Sequence, residues 1–68
     1  MQPGPVLVPI RLLSQKGRLL ETRQLPPRMR RPTLQQRTRE DGVLSVFVCD
    51  GFHNGAWEYR RVGVEREY

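Results

Sequence analysis

Apolar and polar positions alternate along much of the chain, and glycine and proline interrupt the alternation at intervals. Residues 6–13 read Val-Leu-Val-Pro-Ile-Arg-Leu-Leu, and one alternating set, Val6, Val8, Ile10 and Leu12, is wholly apolar. Successive strand side chains point to opposite faces, so this set predicts a strand with one buried face. Pro9 lies on the other set and lacks a backbone donor, which predicts an edge strand. Ser14-Gln15-Lys16-Gly17 predicts a turn, and residues 18–25 then return as a second strand. The competing reading is a helix from near Pro9, with Leu12, Leu13, Leu19 and Leu20 on one side. Gly17 in its interior would cost about 1 kcal/mol relative to Ala, so strands are preferred.

Residues 26–32, Pro-Pro-Arg-Met-Arg-Arg-Pro, hold three prolines in seven positions. That composition excludes a regular helix interior and a central strand, and predicts an extended, polyproline-like connector carrying three arginines. Residues 33–39 resume as a strand. Asp41-Gly42 then separates two strand-like runs and predicts a hairpin, because both residues tolerate positive φ. Residues 43–49, Val-Leu-Ser-Val-Phe-Val-Cys, are apolar on both alternating sets apart from Ser45, the pattern of a central strand covered on both faces. Asp50-Gly51 and Asn54-Gly55 are further turn signals, and the return strand covers about 56–66. Its inward set changes phase from Trp57 and Tyr59 to Val62 and Val64, which predicts a bulge near Arg60-Arg61.

These elements predict a mainly β fold: a small single-domain barrel or sandwich of four to five antiparallel strands with a Pro/Arg-rich extended connector. The expected organisation is an N-terminal arm over 1–5, a strand or hairpin over 6–25, the connector over 26–32 and a three-strand meander over 33–67. A chain of 68 residues buries only about 60% of the surface its unfolded form exposes, so support from a partner or a second copy is expected. The single cysteine, Cys49, excludes an intramolecular disulfide and fits a reducing compartment. With His53, the one histidine, it makes too few soft ligands for a structural zinc site, and no cofactor is expected. No apolar run reaches the roughly 20 residues that span a bilayer, and the first residues lack a signal-peptide pattern. The expected location is the cytoplasm, or a particle assembled there.

The net charge of +5 is unevenly distributed. Residues 1–39 carry nine basic side chains against Glu21, a balance of +8, and residues 40–68 carry three against six acidic ones, a balance of −3. Eleven of the twelve basic residues are arginine, whose planar fork suits phosphate and carboxylate, although GC-rich codon usage produces the same bias. Arg28, Arg30, Arg31, Arg37 and Arg39 put five guanidinium groups into twelve residues and form the candidate partner- or phosphate-binding set. Phe52, Trp57 and Tyr59 form a candidate aromatic contact surface for unstacked bases, with core packing as the ordinary alternative.

No enzymatic constellation is evident. Cys49 and His53 flank one turn, but a cysteine ending an apolar strand behaves as an inert core residue. Asp50 and Glu58 read as solvated carboxylates beside a turn, and the glycines fit turns and a bulge. Two function classes follow. The preferred one is a non-enzymatic structural or adaptor subunit, in a viral or other large assembly, docking on a protein or on its own copies through the charge-split surface. The alternative is a small basic nucleic-acid-binding module contacting phosphates through residues 23–39. Neither class expects a membrane or a small-molecule substrate as partner.

Overall fold

The computed structural model describes residues 6–64. Five strands follow one another: β1 (Val8–Leu13), β2 (Leu19–Leu25), β3 (Thr33–Arg37), β4 (Leu44–His53) and β5 (Ala56–Val64), with one 3-10 turn at Pro27–Met29. They form a single mixed sheet in the order β2-β1-β5-β4-β3, curled into a half-barrel. The N-terminal arm expected over residues 1–5 and the part of the return strand beyond residue 64 lie outside the described residues.

The competing helix over the first segment does not form. Ser14 and Gly17 close a hairpin instead: Ser14 N–H donates to Arg18 O at 2.8 Å and Gly17 N–H to Ser14 O at 2.9 Å. Gly17 sits at φ +89°, a conformation glycine adopts without steric cost. The expectation of purely antiparallel strands is corrected at one interface. β1 runs parallel to β5, with Ile10 opposite Trp57 and Leu13 opposite Arg60. The whole meander therefore returns beside β1 in the same direction, and β1 is internal rather than at the edge that Pro9 suggested. Pro9 is tolerated there because the β5 pairing begins only at the next residue, Ile10.

Ile10, Leu12, Leu34, Phe47 and Tyr59 form the buried cluster on the concave face, with Leu20, Leu25, Cys49 and Trp57 packed against it. Each aliphatic or aromatic side chain buried in this way contributes about 1.5–3 kcal/mol. Alternation holds through β4, where Ser45 and Phe47 are buried and Val48 is exposed. β4 is thus central in the sheet but covered on one face only, because no second layer packs on its convex side among the described residues.

Three bulges set the curvature. Leu20 is the extra residue between the pairs Leu12–Glu21 and Leu13–Leu19. Asp50 is extra on β4 and Val62 on β5. The bulge expected near Arg60-Arg61 therefore falls one position later, and it does not turn Val62 and Val64 inward: they are 59% and 49% exposed. Arg61, opposite Phe47, takes the inward position. Asp50-Gly51 likewise continues β4 as a bulge, with Gly51 at φ +123°, rather than ending it in a turn. The tight turn is Asn54-Gly55, both at positive φ between the paired His53 and Ala56.

Candidate functional site

The connector is not the fully extended segment its prolines suggest. Pro26 and Pro27 open a single 3-10 turn, in which Met29 N–H donates to Pro26 O (2.9 Å) and Arg30 N–H to Pro27 O (3.1 Å). Proline fits such a start because its fixed φ is already helical and the first N–H groups need no partner. The chain then crosses one end of the half-barrel as a strap. Two contacts pin it there. Tyr59 donates its hydroxyl to Arg31 O at 2.5 Å, and the Arg30 guanidinium carbon lies 3.9 Å from the centre of the Trp57 ring.

These contacts sort the predicted arginines. Arg28 and Arg31 are exposed on the strap, and Arg30 is half-buried over Trp57. Arg37 is held at the far end of β3 by a bond to Gly42 O (2.8 Å), and Arg39 lies in the following turn. The five charges thus occupy the two ends of one edge strand rather than one continuous arm. Between them runs a groove of about 390 Å³, lined by Leu25, Met29, Arg31 and residues 33–36.

The same groove lies at the seam where the edge strands β2 and β3 approach without joining. Arg23 spans it, donating to Gln36 Oε1 and to Arg37 O. The Cys49 N–H to Pro32 O bond (2.8 Å) sets the phase of the β3–β4 ladder. In an antiparallel pair the bonding direction alternates, so the Arg37 carbonyl turns away from β4 and towards Arg23. Glu21 completes the seam, accepting from Arg23 and from Arg39 N–H. Burial pushes the Glu21 carboxyl up, but the hydrogen bonds from Arg23 and Arg39, together with both charges, hold it below its ordinary value.

The aromatic candidates separate as well. Tyr59 is fully buried and belongs to the core. Burial raises its phenol above the ordinary value of 10.0, Cys49 adds to the rise, and Arg30 opposes it. Trp57 packs against the core cluster beneath Arg30. Phe52 meets the Trp57 ring edge-on, with centroids 5.3 Å apart, and is 55% exposed. Cys49 packs against the core beside its cross-strand partner Tyr59, whereas His53 is exposed at the turn.

Ion pairs are where sequence reasoning fell furthest short. Glu58 pairs with Arg11 (3.5 Å), Glu40 with Arg18 (2.7 Å), Asp50 with Arg60 (3.2 Å), Asp41 with Arg61 (3.1 Å) and Glu21 with Arg23. Every acidic side chain among the described residues is therefore matched within the chain. Arg11 also caps the β4–β5 turn, donating to His53 O and Asn54 O, both at 2.8 Å. Arg61 stacks over Phe47, 5.6 Å from the ring centre. Its Nη2 meets Asp41 as an ion pair outside hydrogen-bond geometry, and its Nε has no hydrogen-bond partner among the described residues. Only the charge signs were visible in the sequence, since each pair joins strands or turns that the fold brings together.

No known protein family, curated protein or solved structure matches the chain.

Proposed function

We propose that this protein is a non-enzymatic module that binds a polyanion, nucleic acid in the first instance, through the strap and the β3 edge. The observation that carries the reading is the internal pairing of all five described acidic residues. Residues 6–64 hold eleven basic side chains against five acidic ones, a balance of +6. Beyond these five ion pairs, Lys16, Arg28, Arg30, Arg31 and Arg39 supply excess positive charge, three of them on the strap. A surface of one sign steers polyanions, and arginine gives each phosphate a forked donor. The internal pairing also weakens the charge-split route to self-association, since the acidic hairpin already holds Arg11, Arg18, Arg60 and Arg61.

The test is fluorescence anisotropy of short DNA and RNA oligonucleotides over a salt series, on protein purified with nuclease treatment. Binding is expected to weaken steeply with salt, and Arg28→Ala/Arg31→Ala to lower the log–log slope by about 1.4, two phosphates at about 0.7 each for a single strand. Absence of binding at low salt, or an unchanged slope in the double variant, would overturn the reading.

A second reading, a structural or adaptor subunit docking on a protein or on its own copies, rests on the convex face. Val48 and Val62 are 41% and 59% exposed beside half-buried Leu44 and Val46. Small monomers commonly display apolar patches of roughly 300–600 Å², so this face ranks below the charge excess. A defined oligomer by light scattering, free of nucleic acid and lost in Val48→Thr/Val62→Thr, would establish it; a monomer at all concentrations would remove self-association.

A further inference from the structure

Duplex and single-stranded polymers offer the same phosphates, and what separates them is access to the faces of the bases. We infer that the polyanion bound at the strap is a single-stranded nucleic acid, one base of which stacks on Phe52 while neighbouring phosphates lie over Arg28 and Arg31. This rests on the polyanion reading above and adds the strand type and the stacking residue.

Three observations single out Phe52. Tyr59 is sealed in the core and the Trp57 ring is covered by Arg30, so neither offers a free face, whereas Phe52 is 55% exposed. Second, Phe52 is braced: Trp57 meets it edge-on at 66° and is itself held between Arg30 and the core. A ring already held in place loses little freedom when a base covers it. Third, the separations of 3.9 Å and 5.3 Å put the Arg30 charge within about 9 Å of the Phe52 ring. That is inside the screening length of about 10 Å at 0.1 M salt. A base on Phe52 therefore brings its own backbone into the field of the strap. Duplex bases are stacked on each other and cannot reach the ring without unstacking.

The experiment compares an oligothymidylate with a duplex of equal length, at one low salt concentration, by anisotropy and by emission of Trp57, the only tryptophan. The single strand is expected to bind more tightly and to change Trp57 emission. Phe52→Ala is expected to weaken single-strand binding on the order of tenfold, since stacking on one aromatic ring is worth about 1–3 kcal/mol per base. The same variant leaves duplex binding and the salt slope unchanged, and Phe52→Tyr retains affinity. Equal affinity for both probes, or wild-type single-strand affinity in Phe52→Ala, would overturn the inference while leaving polyanion binding intact. Failure of both probes to bind the wild-type protein would overturn the polyanion reading with it.

Discussion

The anchoring of the strap makes Tyr59→Phe the most informative single substitution. The ring stays in place, fully buried, so core packing is preserved. What is lost is one donor to Arg31 O, now at 2.5 Å. A hydrogen bond of this kind contributes about 0.5–1.5 kcal/mol net. Arg31 is exposed, so water can replace the donor, which places the loss at about 1 kcal/mol. A chain of 68 residues has about 3–10 kcal/mol of stability in total, so the change is measurable. With a urea slope of about 1 kcal/mol per molar, the unfolding midpoint falls by about 1 M.

Arg30→Ala removes the half-buried stacking on Trp57, worth about 0.5–2 kcal/mol. Both contacts hold the same short segment, so once either is lost the other has less to hold. The double variant is therefore expected to lose less than the sum of the singles. Amide exchange at Met29 and Arg30, whose N–H groups close the 3-10 turn, should accelerate in each single variant while the protection of β4 and β5 falls only with global stability. Alkaline titration adds a sign. The Tyr59 phenol is raised in the folded state, so the fold retains the proton. The resulting stability is complete below pH 10 and lost as pH rises through the folded value. Tyr59→Phe lacks that component of alkaline loss. An unchanged urea midpoint together with unchanged exchange at the strap would refute the claim that this bond anchors it. A loss well above 3 kcal/mol would mean that the ring packing had changed instead.

Two further outcomes are expected. Gly55→Ala forces an alanine to φ +82° at a position with nothing within 4 Å, so strain alone acts and costs about 1–2 kcal/mol in thermal or urea unfolding. Gly63→Ala has the same open space without positive φ and serves as the control, with no loss. Asp41 accepts from Val43 N–H (2.9 Å) and Thr38 Oγ1 (2.8 Å). These bonds, with the charge of Arg61, outweigh burial and hold its carboxyl below the ordinary 3.8. Its contribution is present above that value and is lost as pH falls through the lower folded one. Asp41→Asn should therefore be less stable at neutral pH and show a shallower acid decline; an identical acid profile would remove Asp41 from the linkage.

Strand character was legible because it depends on neighbours in sequence. The alternation of Ile10 and Leu12 places both in the core, and the Asp41-Gly42 and Asn54-Gly55 signals mark two of the turns. Where the reading missed, local signals had two outcomes and the third dimension chose between them. Asp50-Gly51 has turn composition, yet a glycine at positive φ serves equally at a bulge, and pairing of Gly51 with Glu58 continues the strand. Val62 and Val64 suit an inward face, but the bulge puts Arg61 against Phe47 instead.

The candidate site shows the same division. Composition alone determined that the chain is basic and arginine-rich, with a single cysteine and a single histidine. Which charges remain available was decided by tertiary structure, because an ion pair such as Arg11–Glu58 joins residues 47 positions apart. The parallel pairing of β1 with β5 was equally out of reach, since it depends on how the sheet curls. That curl pairs Glu40, Asp41, Asp50 and Glu58 with arginines and leaves Arg28 and Arg31 exposed on the strap. It also buries Tyr59, covers Trp57 with Arg30 and leaves Phe52 as the open ring, a distinction invisible in a sequence where all three are simply aromatic residues on adjacent strands.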